Sequence, residues 1–206
     1  MGHELTLQAI KVPSLLLDRL RAGEIDPELL VFVDYYFDER RKRGRMWDDF
    51  TVRAPERVPF VESLERMLSE DPTIDCRCCL LDRQYSWLHR TLESVDGPDS
   101  DGEFATWAVL GQRQISPNAT STQGFQLLWN SPETCAIVNA WLAEIEEPKV
   151  RAACKIVILR QNGSYKIQQN PDDELVIETI VKSFRLLKDF YKAVVHHGNG
   201  VLFDKD

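Results

Sequence analysis

The sequence predicts a mostly helical α+β fold in a single domain, and three observations carry that expectation. The opening segment alternates, with Leu5, Leu7 and Ala9 on one face between His3 and Lys11, which is the period of a half-buried strand. Several later segments begin with capping chemistry and continue with apolar residues at helical spacing. A short apolar run, Val201 to Phe203, follows the last of them, so the first and last segments can pair in one small sheet.

Size and charge set the first limits. A chain of 206 residues suits one domain. At that length folding buries roughly 70% of the extended-chain surface, so no disulfide or metal staple is needed. The apolar share of 43% and charged share of 28% are those of a globular protein rather than a disordered one. The net charge of −8 disfavours binding along a phosphate backbone, which needs clustered Lys and Arg, and favours a basic protein partner. Met1 to Lys11 lacks the basic region and apolar core of a secretory signal, and no stretch is apolar for the length of a membrane span. The expected location is therefore cytoplasmic, with no membrane and no nucleic-acid partner. Met1-Gly2-His3-Glu4-Leu5-Thr6 fits the loose N-myristoylation pattern, but the opening of a strand is the preferred reading.

The elements follow in order. Pro13-Ser14 opens a short helix with Leu16, Leu17 and Leu20, closed by Gly23. Asp26-Pro27-Glu28 starts a second, apolar nearly all round from Leu29 to Phe37 and ending in Arg40-Arg41-Lys42-Arg43, cations that suit a helix C-terminus. Trp47 to Pro55 reads as a loop, the stretch from Pro55 to Leu68 as an amphipathic helix, and Leu80 to Leu92 as another. Val95 to Gly102, rich in Asp, Gly, Pro and Ser, is a surface loop, as is the polar stretch Ser116 to Gly124. Phe125 to Trp129 is strand-like. Ser131-Pro132-Glu133 then caps a helix that places Ile137, Val138, Trp141, Leu142 and Ile145 on one face, stopped at Glu146-Glu147-Pro148. Val150 to Arg160 is helical, with Ile156 to Leu159 open to an extended alternative. Asn162-Gly163 is a turn. Pro171-Asp172-Asp173-Glu174 starts the longest helix, periodic through Ile177, Ile180, Val181, Phe184, Leu187, Tyr191 and Val194 and closed by Gly198.

Chemistry is sparse. There is no Gly-x-Ser-x-Gly elbow, phosphate-cradling loop or His-Glu-x-x-His. Five cysteines, an odd number, argue against a disulfide framework. Cys76, Cys78 and Cys79 are too closely spaced for the usual paired zinc ligands, so all five read as reduced structural thiols and no cofactor is expected. His196-His197 suits the negative end of the long helix. Asp82 and His89, seven residues apart, would share a helix face about 10 Å apart in rise, too far for a direct hydrogen bond. With Tyr85 and Trp107 they form the best candidate polar site. The plainer reading has Asp82 capping its helix and His89 half-buried and satisfied.

Three blocks of the sequence carry a family resemblance. The first is Leu81-Asp82-Arg83-Gln84-Tyr85-Ser86-Trp87-Leu88-His89. The second runs from Ala108-Val109-Leu110-Gly111 through Trp129 to Ser131-Pro132-Glu133. The third is Leu187-Lys188-Asp189-Phe190-Tyr191-Lys192-Ala193 with Gly198 and Val201 to Phe203. In order and spacing they resemble the YfbM-like family of bacterial proteins, whose role is not established; Tyr85 stands where that family usually has Trp. The resemblance covers Asp75 to Phe203 and implies an α+β fold and a bacterial origin, with no reaction and no catalytic residues. Met1 to Gly23 is similar as well, whereas residues 26–68 read as a divergent or inserted helical segment.

The functional expectation is a non-enzymatic protein-binding module, in its most concrete form a bacterial immunity protein that neutralises a toxin by binding it. Its contacts would come from the acidic loop carrying Asp96, Asp99, Asp101 and Glu103 and from residues 26–68. The alternative is a small-molecule-binding protein or an enzyme using Asp82, Tyr85 and His89, and a zinc-binding variant using Cys76, Cys78 and Cys79 stands third.

Overall fold

The computed structural model describes residues 7–12, 79–81, 85–95, 101–114, 128–156, 159 and 172–205, and the isolated positions 22, 48, 51–53, 55, 58 and 62. The helices expected over 14–23 and 26–43, the 116–124 loop and the Asn162-Gly163 turn lie outside the described residues, as do Cys76, Cys78, Asp82, Asp96 and Asp99.

Five antiparallel strands form one sheet. They are β1 (Leu7–Val12), β2 (Cys79–Leu81), β3 (Arg113–Gln114), β4 (Leu128–Asn130) and β5 (Gly200–Lys205), in spatial order β2-β1-β5-β4-β3. The two ends of the described chain thus meet at the sheet centre, with Ala9 opposite Phe203 and Val12 opposite Gly200. On its other side β5 pairs with β4, Leu128 opposite Phe203 and Asn130 opposite Val201. Val201 and Phe203 join the core shared with the helices. Strand alternation sends Leu202 the opposite way, together with its partner Trp129, and both are also buried. The central strand is therefore apolar on both faces, which is why 201–203 reads as a continuous apolar run rather than an alternating one.

The helices are α1 (Tyr85–Val95), α2 (Glu103–Leu110), α3 (Pro132–Glu144), α4 (Glu147–Ala153) and α5 (Asp173–His196). At 24 residues α5 is the spine, touching α1, α3, α4, β2 and β5. Val176, Ile180, Val181, Phe184, Leu187, Phe190, Tyr191 and Val194 all turn inward, as helical spacing requires. Its start follows the local rules: Asp172 is the cap, and its carboxylate accepts from the Leu175 amide at 3.2 Å. At its end Gly198 takes φ 63°, and the amides of Gly198 and Asn199 donate back to Val195 and Val194. Helix α3 begins as its sequence dictates, with Pro132 in the first turn and the Ser131 hydroxyl accepting from the Thr134 amide at 3.1 Å. No helix among the described residues is long and apolar enough to cross a membrane.

Three expectations need correction. Asp48 and residues 51–53 are helical where a loop was expected, and the Thr51 hydroxyl donates to the Asp48 carbonyl at 2.8 Å, a local bond that polar composition does not reveal. Leu80 and Leu81 belong to β2, and α1 as described starts at Tyr85. The step from Leu81 to Tyr85 mimics a helical interval, but pairing with Leu7 and Gln8 draws Leu80 and Leu81 into the sheet. Ile137 is 47% exposed. The buried stripe of α3 is narrow and runs through Cys135, Val138 and Leu142, one position off Ile137.

The junction between α2 and β3 admits only glycine. Gly111 has φ 91°, and a Cβ there would lie 2.8 Å from Phe203 Cδ2, 2.9 Å from Leu128 Cβ and 3.1 Å from the Trp129 amide nitrogen. Strained backbone and overpacking act together, so Gly111→Ala is expected to lower unfolding stability by roughly 2 to 4 kcal/mol. Urea unfolding of the purified variant checks this. A midpoint equal to that of the parent protein would show that the junction is free to relax.

Candidate functional site

The sequence-predicted polar face is built by α1 and α2. Tyr85 and His89 lie one turn apart on α1, and His89 Nε2 is 3.2 Å from the Thr106 hydroxyl of α2. Tyr85 is half-buried, and burial holds its hydroxyl pKa above the usual phenol value. Trp107 follows Thr106 and packs edge-on against Phe104, with ring centroids 5.5 Å apart; Phe104 in turn lies 6.0 Å from Trp141 of α3. Asp101 and Glu103 are both exposed at the start of α2, and the Asp101 carboxylate accepts from the Glu103 amide at 3.0 Å. The structure thus brings Tyr85 and His89 onto one face that meets α2, and places Trp107 in an aromatic group with α3.

A second set of polar groups is fully buried. Helix α2 ends inside the protein, so its last carbonyls need donors other than water. Asn130, 0% exposed, supplies them from β4: its Nδ2 donates to the Trp107 carbonyl at 2.7 Å and to the Tyr191 hydroxyl at 2.9 Å. Its Oδ1 accepts from the Gln112 amide at 2.9 Å, which fixes the orientation of the amide group. The Tyr191 hydroxyl then donates toward the Trp107 and Ala108 carbonyls, each 3.2 Å away. Thr134, in the first turn of α3, donates its hydroxyl to the Gln112 side chain at 2.9 Å. Sequence reasoning missed this network. Tyr191 sits in phase with apolar residues, and Asn130 looks like part of a helix start. Two other buried donors, Trp87 Nε1 and Asn199 Nδ2, find no acceptor among the described residues.

Neither described thiol is a nucleophile in waiting. Burial pushes the Cys135 thiol up to about 12, with the nearby Glu133 carboxylate adding to the effect and a hydrogen bond from the Val201 backbone opposing it. Cys154 is also raised by burial, and its thiol donates to the Val150 carbonyl at 3.3 Å. The backbone of Cys79 lies in β2. The described residues contain no group of three potential metal ligands.

Exposed carboxylates are tied by ion pairs along α4 and α5. Arg185 forks onto Glu147, with Nε donating to Oε1 at 2.6 Å, and this bond holds the Glu147 carboxyl below the usual range. Arg151 bridges Glu174, at 2.7 Å, and Glu178. At the far end of α5 an open groove of about 570 Å³ lies between that helix and α3. Asn139 lines it from α3, and Asp189, Lys192, Ala193, Val195, His196 and His197 line it from α5 and its cap. The two imidazoles stand edge to face with centroids 4.8 Å apart. Sequence reading placed His196 and His197 at a helix end without seeing the groove. The available signal was the i, i+3, i+7 spacing of Asp189, Lys192 and His196 on one face.

Residues 39–204 match a family described as "Domain of unknown function (DUF1877)". The chain belongs to that family. Among solved structures, the DUF1877 chain is similar to YfbM from Escherichia coli, titled a protein of unknown function, with a TM-score of 0.54 and 13% identity over 96% of this chain and 98% of that one. At that identity the likeness speaks for the fold alone, and it bears out the resemblance to YfbM-like proteins drawn from the three sequence blocks. No curated protein matches the chain. The DUF1877 match begins at residue 39 and so takes in residues 39–68 of the segment expected to be divergent or inserted.

Two outcomes follow from this geometry. Tyr191→Phe strips one partner from Asn130 and, among the described residues, the hydroxyl that reaches the buried Ala108 carbonyl. Its expected cost is about 1 to 3 kcal/mol in urea unfolding, and a cost near zero would mean that the network is not energetically coupled to the fold. Cys135 is expected to resist a disulfide-forming probe at pH 8 in the native state and to react at once in denaturant. Because its folded pKa is raised, its contribution is intact below the unfolded thiol value and lost as pH rises toward about 12. Rapid native labelling at Cys135 would contradict the burial argument.

Proposed function

We propose that this protein is a non-enzymatic protein-binding module, and in the most specific form an immunity protein that occludes a basic toxin. The observation that carries the reading is the net charge of −8 on a chain without recognisable catalytic motifs. The charge is carried outward: Asp101, Glu103, Glu144, Glu146, Asp172 and Asp173 are all exposed. A surface of that sign steers a cationic partner into encounter and raises the association rate at low salt. The docking residues in this reading are Asp96, Asp99, Asp101 and Glu103, together with residues 26–68. A buried Cys135 thiol and a half-buried Cys154 thiol fit a protein that works through its exterior.

A second reading, a small-molecule-binding protein or an enzyme acting through Asp82, Tyr85 and His89, draws support from the juxtaposition of Tyr85 and His89 beside α2. It predicts that a ligand shifts the His89 imidazole resonances and that His89→Gln abolishes the shift.

For the binding module, affinity capture from the protein's own cells at low ionic strength is expected to retain a basic protein, encoded next to this gene, that inhibits growth when expressed alone. Co-expression should restore growth, and the double charge reversal Asp101→Lys with Glu103→Lys should slow association about tenfold. If no basic partner is captured and no toxic gene lies adjacent, the proposal fails.

A further inference from the structure

We propose that the groove at the C-terminal end of α5 is a binding site for a small anion, a carboxylate or a tetrahedral oxyanion, gripped by Lys192, His196 and His197 and bound more tightly as the pH falls. The volume of about 570 Å³ falls within the range of small-molecule sites. The chemistry of the lining departs from that of the chain. A protein of charge −8 here presents one Lys and two His against a single Asp. Lys192 and Asp189 cancel, so the lining is neutral with neutral imidazoles and carries +2 when both are protonated. No ion pair with another described residue occupies Asp189, Lys192, His196 or His197, so their hydrogen-bonding groups remain available to a ligand. All four side chains are exposed.

Three forces link proton uptake to anion binding. The two imidazoles, with centroids 4.8 Å apart, are close enough for one anion to contact both, and they attract it only when they carry charge. The negative end of α5 disfavours an uncompensated anion, so the anion binds the protonated pair and not the neutral one. Asp189 opposes an anion at all pH values of interest, which orients the ligand: its charge goes toward Lys192 and the histidines, and any hydroxyl or amine it carries goes toward Asp189 and Asn139. Among the described residues, the titratable and charged groups lining the groove are these four, all on α5 or its cap. The α3 wall contributes Asn139, which does not titrate. By linkage, an anion that prefers the charged pair must raise the imidazole titration midpoints as much as protonation raises its own affinity. The site is independent of the acidic docking surface proposed above, and neither depends on the other.

The experiment is a titration followed through the imidazole resonances of the full chain by NMR, at about pH 6 and about pH 8 and at constant ionic strength made up with chloride. Sulfate and acetate serve as the tetrahedral and carboxylate probes, because both keep their charge across that range. The expected result is saturable shifts of both His196 and His197 with at least one probe, an affinity about tenfold greater at the lower pH, and upward movement of both midpoints at saturation. Which probe binds more tightly identifies the ligand class. Lys192→Gln and the double variant His196→Gln with His197→Gln should each weaken binding about tenfold, seen for the double variant by calorimetry, while circular dichroism stays unchanged because these side chains are exposed. Linear, non-saturating shifts, equal affinity at both pH values, or a Lys192→Gln protein that binds like the parent would each overturn the proposal.

Discussion

Helix α2 ends with its last carbonyls pointing into protein, and the surrounding elements are placed to meet them. Asn130 comes from β4 and Tyr191 from the middle of α5, while the Gln112 amide, in the turn into β3, donates to Asn130 Oδ1 and holds that side chain in place. A buried carbonyl without a donor costs about as much as the hydrogen bond it lacks, so this end of α2 depends on both donors arriving in register. Gly111 supplies the bend that brings β3 back beside β4, where any side chain would collide with Phe203 and Leu128. The same few residues therefore fix the sheet register, the direction of α2 and the depth of α5. The apolar stripe of α5 then closes over α1, α3 and the central strand without further polar demands.

That economy shapes the exterior. The interior takes up the thiols of Cys135 and Cys154, the phenol of Tyr191 and the amide of Asn130. Ionisable groups remain outside, in two distinct arrangements. Along α4 and the first half of α5, carboxylates alternate with Arg151 and Arg185 in exposed ion pairs that contribute little to stability and are screened by salt. At the far end of α5 Asp189, Lys192 and two histidines line a groove instead. The exterior thus carries two chemically different surfaces, one of carboxylate–arginine pairs and one of histidines beside Lys192 and Asp189.

Membership of DUF1877 and the fold shared with YfbM give this chain a structural context and no activity. The functional argument therefore rests on charge, on exposure and on which groups the core has already engaged. His89 illustrates the point. In the sequence it is half of a pair with Asp82. In the fold it is bound to Thr106 and joins two helices.

Much of the architecture was legible because local chemistry decides it. Ser131-Pro132, Asp172 and Gly198 start and stop helices through bonds within four residues, and the period of α5 needs no partner to be recognised. Pairing of the first and last strands was readable for a similar reason, since two apolar runs at the ends of a helical chain have few other partners. What the tertiary structure alone decided depends on contacts far apart in sequence. Leu80 and Leu81 became strand because Leu7 and Gln8 lie beside them, and Cys135 rather than Ile137 faces the core because α5 packs on that side. Asn130 and Tyr191, 61 residues apart, form a hydrogen bond that no periodicity encodes. The groove depends on Asn139 meeting the end of α5. Local signals record what a residue does to its own backbone, whereas a buried network or a groove is a property of elements brought together only by folding.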